Sequence, residues 1–100
     1  MKVKISEDLE ELIPNFLKNR EKELLLLKNY MFQKRYSEAE NTIHGLKGVL
    51  GSYGFNGAYE LSLDVEKDLK KEKYSSAKEK IKELIEYMTN LEIEYVDEEF

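Results

Sequence analysis

The chain has a single histidine, His44, and it sits in a run where glycine recurs at every third position: Gly45, Gly48, Gly51, Gly54 and Gly57, which are all five glycines of the protein. The segment from Ile43 to Phe55 nevertheless carries helical spacing, with Ile43, Leu46, Leu50 and Tyr53 on one face. Each interior glycine costs a helix about 0.8–1 kcal/mol relative to alanine, so Gly45, Gly48 and Gly51 together cost about 2–3 kcal/mol. That is a sizeable share of the roughly 5–15 kcal/mol that holds a domain together. With His44 at zero and an advance of about 100° per residue, Lys47 falls at about 300°, Gly48 at about 40° and Gly51 at about 340°. The apolar side chains of this segment fill an arc from about 140° to about 260°. The spacing therefore predicts an imidazole facing away from the core, a lysine one turn on, and two neighbouring positions without side chains. A neutral imidazole keeps a nucleophilic nitrogen at cellular pH, which suits covalent capture of a transferable group. The Lys47 ammonium can offset part of the charge of a phosphoryl group, and Gly48 and Gly51 leave room for a partner's wall. The competing reading of the same residues is a solvated histidine and lysine on a glycine-tolerant helix.

Other chemistries find less support. The absence of cysteine excludes disulfides, thiolate catalysis and cysteine–zinc sites. A lone histidine facing solvent does not furnish the base and orienting acid of a serine hydrolase. Glu40 precedes His44 by four residues, but two ligands do not close a metal site, so neither a metal nor another cofactor is expected. The glycine run lacks both the strand–loop–helix setting and the GxxxxGK[ST] pattern of a phosphate-binding loop, so no ATP binding or autokinase activity is expected. Net charge is −5 with no basic face, which argues against a nucleic-acid partner. The longest apolar run, Leu24 to Leu27, is far short of a membrane span, and the acidic N-terminus is not a signal peptide. The expectation is a cytoplasmic, free-standing, monomeric protein with no membrane attachment.

The elements that must position His44 follow from punctuation and periodicity. One hundred residues, 37% charged and 41% hydrophobic, predict one domain over residues 1–100, with its core at about 6–95 and a frayed tail over 96–100. Ser6 with Glu7 and Asp8 predicts a short acidic helix to about Ile13, placed as a lid. Pro14 opens a long helix to about Gln33, in which Phe16, Leu17, Leu24, Leu27 and Met31 share a face while Leu25 and Leu26 are surplus to it. Ser37 with Glu40 reads as a capping box opening the histidine helix, and Ser76 with Glu79 as a second one opening the last helix. Between them Gly54 and Asn56-Gly57 mark a break, followed by a helix to about Lys70 that buries Ala58, Leu61, Val65 and Leu69. In the last helix Ala77, Ile81, Leu84, Met88, Leu91 and Tyr95 form a packing seam. No strand pattern competes. The predicted fold is all-α, an antiparallel up-and-down four-helix bundle with a short extra N-terminal helix.

The residues His44-Gly45-Leu46-Lys47-Gly48, with Gly54 ten positions after the histidine, resemble the motif of the histidine-containing phosphotransfer (HPt) domain of two-component phosphorelays. Gly51-Ser52-Tyr53-Gly54-Phe55 is also similar to the phosphoacceptor domain of chemotaxis histidine kinases, and the stretch Pro14 to Arg20 with the Tyr36 turn extends the resemblance over about residues 10–95. Val49, where the family prefers a small residue, and Ala58, where leucine is common, depart from the pattern. The resemblance implies that His44 accepts a phosphoryl group from a receiver-domain aspartate and relays it to another receiver. It also implies that Lys47 assists by charge and that Gly48 permits close approach. The partners implied are receiver domains of response regulators or hybrid histidine kinases, and the magnesium ion needed for transfer would belong to the receiver. Leu25 or Leu26 could rim the docking surface. Two other readings remain open at this point: an HPt-like module that docks on or inhibits a kinase or receiver without carrying phosphate, and a self-associating helical protein.

Overall fold

The computed structural model describes residues 2–97. Four helices pack around a common core: α1 (Ile13–Phe32), α2 (Tyr36–Ser52), α3 (Asn56–Lys70) and α4 (Tyr74–Thr89). Two short strands, β1 (Lys2–Ser6) and β2 (Glu92–Val96), pair in parallel at the two chain ends. Each helix buries one stripe: Ile13, Phe16, Leu24, Leu27 and Met31 from α1, Ala39, Ile43, Leu46 and Leu50 from α2, and Ala77, Ile81 and Leu84 from α4. Helices adjacent in sequence pack closely, whereas α1 and α4 touch far less.

The three helix-to-helix connections share one geometry. Lys34, Gly54 and Glu72 have φ of 58°, 88° and 58°. In each loop the next amide donates to a carbonyl five residues back, Arg35 to Tyr30, Phe55 to Leu50 and Lys73 to Asp68, at 2.8, 3.0 and 2.8 Å. The left-handed residue itself donates three back, Lys34 to Met31, Gly54 to Gly51 and Glu72 to Leu69. These are the paired bonds of the Schellman motif, which satisfies the orphan carbonyls of an ending helix. The chain then re-enters a helix at once, from Arg35, Phe55 and Lys73 with ψ of 69°, 69° and 68°. The two tyrosines that open α2 and α4, Tyr36 and Tyr74, stack with centroids 3.6 Å apart. Phe16 in turn stacks on Tyr53 and Phe55 at 4.2 and 5.1 Å, tying the start of α1 to the α2–α3 corner.

This loop chemistry displaces both predicted capping boxes. α2 and α4 start at Tyr36 and Tyr74, and their N-cap residues, Arg35 and Lys73, cap with no side chain. Ser37 and Ser76 lie inside the helices, and Ser76 bonds the Asp68 carboxylate on α3 instead. That bond and the Lys80 ammonium, 2.9 Å from Asp68 Oδ2, hold the carboxyl of Asp68 below its ordinary range and pin α3 to α4.

The chain ends differ from expectation. Ser6 does cap a short element, its Oγ accepting from the Asp8 amide, but that element is a 3-10 helix over Glu7–Leu12. Before it lies β1, whose Val3 and Ile5 enter the core. The last helix stops at Thr89, so Leu91 and Tyr95 do not extend its seam. Residues 92–95 alternate polar and apolar, and Ile93 and Tyr95 register against Val3 and Ile5. Val96, placed in the expected tail, registers against Ser6, Asp97 follows it exposed, and 98–100 lie outside the described residues.

The shared loop gives a prediction. Lys34 and Glu72 occupy the left-handed conformation that costs an L-residue about 1–2 kcal/mol, and Gly54 occupies it without that cost. Lys34→Gly and Glu72→Gly should each stabilise the fold by about 0.5–1 kcal/mol, and Gly54→Ala should destabilise it by a similar amount. Urea midpoints at constant m-value would check both signs.

Candidate functional site

His44 lies in the middle of α2, on the side opposite Ile43, Leu46 and Leu50. Its side chain is 71% exposed, as the helical projection predicts. The ring does not stand alone, however. Its Nδ1 is 2.7 Å from Oε2 of Glu66 on α3. The other oxygen of the same carboxylate, Oε1, accepts from Lys47 Nζ at 2.6 Å. Lys70, one turn further along α3, brings a second ammonium to 3.9 Å of Glu66.

Glu66 was not among the residues singled out by sequence, and it organises the site. Its side chain is only 5% exposed. Burial pushes its carboxyl up, but hydrogen bonds from Lys47 and His44, with the charges of Lys47 and Lys70, outweigh that and leave its pKa below the ordinary value. The hydrogen bond to Glu66 likewise raises Lys47, against the opposing effect of burial. An ionised carboxylate can only accept, so the proton shared with the imidazole resides on Nδ1. In the neutral ring Nε2 then carries the lone pair, and it is this nitrogen that faces away from the carboxylate.

Lys47 departs from its predicted place. It is not a free lysine on an open face: its side chain is 20% exposed and its ammonium is committed to Glu66. The glycines also divide. A Cβ at Gly45 or Gly48 would meet nothing within 4 Å, so these two leave open space beside the histidine. Gly51, expected to be equally open, lies under the Tyr59 ring, 3.4 Å from where its Cβ would be. Gly54 serves the left-handed turn, and Gly57 accommodates Tyr87, whose hydroxyl would lie 2.6 Å from an added Cβ. The fold therefore requires glycine at 54 and 57, while a Cβ at Gly51 would only make ordinary contact with Tyr59 and one at Gly45 or Gly48 would meet nothing. Val49 is half-buried and Ala58 fully enclosed, both at the core side.

A sequence signal for Glu66 exists. On α3 it sits about 80° from Ala58, four residues after buried Ser62 and three before Leu69, at the edge of the apolar stripe. A carboxylate there must be paired or pay a desolvation cost. Its partners lie on another helix, 19 and 22 residues away in sequence, and no local pattern names them.

Among the described residues no three His, Asp or Glu side chains converge as a metal centre requires, and no helix is long and apolar enough to cross a membrane. Comparisons of the chain with protein-family models, with curated proteins and with solved structures give no match.

Two predictions follow from the geometry. Because the folded pKa of Glu66 is depressed, its stabilising contribution is present above the unfolded carboxylate range and is lost as pH falls through the lower folded value. Glu66→Gln should cost roughly 1–3 kcal/mol at pH 7, and the gap to wild type should close below about pH 4, as read by urea denaturation across pH. Gly48→Ala meets no neighbour and should raise stability by about 0.5–1 kcal/mol in the same assay.

Proposed function

We propose that this protein is a cytoplasmic, monomeric histidine phosphocarrier, which accepts a phosphoryl group on His44 from a receiver-domain aspartate and relays it to another receiver. The observation that carries the reading is the held imidazole: an exposed ring with Nδ1 fixed by a buried carboxylate, Nε2 free, and a side-chain-free position, Gly48, one turn away. The sequence motif around His44 supports it independently.

The Nε2 lone pair attacks phosphorus of the aspartyl phosphate, the bond from phosphorus to the aspartyl oxygen breaks, and the carboxylate leaves with the electron pair. The ring keeps its Nδ1 proton and gains positive character, which the Glu66 carboxylate 2.7 Å away offsets. Holding the ring also removes rotational freedom that an isolated surface histidine would lose at each transfer. Lys47 balances Glu66 first, so its help with phosphoryl charge is shared with that pairing. Magnesium would come with the receiver, and the chain needs no nucleotide site. The reading carries with it an antiparallel, up-and-down order of the four helices, which the short, uniform corners favour.

The test is transfer from a phosphorylated receiver domain. Wild type should acquire acid-labile, base-stable label and His44→Gln none, while the variant keeps its helical signal because the side chain it replaces faces solvent. Label on the His44→Gln protein would overturn the assignment. Gly48→Gln should slow transfer by crowding the approach without lowering stability, and unchanged transfer rates would remove that glycine's steric role.

A further inference from the structure

The loose contact between α1 and α4 opens a long apolar groove on the molecule. Two hollows of about 620 and 520 Å³ lie along it and share Lys28 and Ile85. The first is walled by Leu17, Leu24, Leu25 and Met88, the second by Met31, Phe32 and Ile81. Leu25 is 61% exposed and Phe32 87%, unusual for large apolar side chains that serve only the core. Along α1 the lining runs from Pro14 to Phe32, about 27 Å at about 1.5 Å per residue, or five helical turns. That shape is too long for one small ligand and matches a helix laid between α1 and α4.

The rim says which helix. Lys18, Lys28, Lys78 and Lys82 border the groove against only Glu21 and Glu86, so a chain of net charge −5 presents a rim of net +2 here. Among the described residues none of these four lysines is in an ion pair. A second copy docked about a two-fold axis would bring this basic rim against itself. We infer that the α1–α4 groove is a docking site for an acidic amphipathic helix of a partner protein, its apolar face on Leu25, Ile85 and Phe32 and its flanking carboxylates on the four lysines. This inference is independent of the chemistry at His44.

The probe is a fluorescein-labelled synthetic 18-residue helix with leucine at helical spacing and glutamate on both flanks, beside a twin carrying lysine on the flanks. Fluorescence anisotropy should show saturable binding of the acidic peptide and at least about tenfold weaker binding of the basic one. Leu25→Glu should abolish binding, and Lys28→Glu with Lys82→Glu should weaken the acidic peptide by at least about tenfold and improve its twin. All these positions are exposed or at the rim, and circular dichroism would verify the fold of each variant. His44→Gln should bind as wild type, so failure here is distinguishable from failure of the phosphocarrier reading. Equal affinity for the two peptides, no saturable binding, or wild-type binding by Leu25→Glu would overturn the inference. So would sedimentation showing a dimer that Leu25→Glu disperses, which would give the groove to a second copy.

Discussion

A carboxylate buried to 5% exposure between two helices is the constraint on which the candidate site depends. An ionised group removed from water costs several kcal/mol unless its lone pairs are met by charged donors. Glu66 meets that requirement with Lys47 at 2.6 Å on one oxygen and His44 at 2.7 Å on the other, both from α2. The three side chains therefore act as a unit. Lys47 keeps the carboxylate ionised, the ionised carboxylate keeps the proton on Nδ1, and the placed proton leaves Nε2 to the solvent. A pair of this kind is weak evidence for stability, because well-packed apolar residues can replace it at little cost. Its consequence here is positional: it orients one ring on an otherwise open face.

For that unit to form, α2 and α3 must meet in one register, and the α2–α3 corner sets it. The corner repeats the hydrogen-bond geometry of the other two, with the left-handed position at Gly54. Phe16 stacks on both sides of it, through Tyr53 and Phe55, and Tyr87 packs against Gly57 just beyond. Gly54 and Gly57 are thus spent on the backbone and its packing, and Gly45 and Gly48 on the clearing beside the histidine. The latter pair keeps a cost of about 2 kcal/mol that a purely structural helix would avoid. On the proposed phosphocarrier reading that cost serves close approach, since a partner's atoms would have to come within bonding distance of Nε2.

The molecule has two unlike faces. Around His44 the surface is polar and small, with its charges internally paired. Between α1 and α4 it is apolar, and the lysines on its rim form no ion pair among the described residues. The first suits brief encounters in which one group changes hands, and the second suits burial of an amphipathic surface. Of the two surplus leucines of α1, Leu25 belongs to the second face and lines the groove, which runs beside the weakest of the helix contacts.

Periodicity and punctuation in the sequence determined the existence of the four helices and, nearly, the C-terminal ends of α1, α2 and α3, because each buries a stripe that recurs every three or four residues; the same periodicity carried α4 six residues past its end at Thr89. His44 was legible as exposed for the same reason: it lies opposite Ile43, Leu46 and Leu50. What local pattern could not supply depends on groups far apart in the chain. The capping boxes at Ser37 and Ser76 have the right residues, but the corners place the N-caps two and three residues earlier, at Arg35 and Lys73, and Ser76 turns to Asp68 on the neighbouring helix. The alternation over 92–95 gains meaning only when β1, some ninety residues earlier, lies beside it to pair with it. Glu66 could be marked as a carboxylate at the edge of an apolar stripe. That it faces His44 and Lys47, and so decides which imidazole nitrogen is free, was settled by the packing of α3 on α2, since only tertiary structure brings a charge and its partners together out of water.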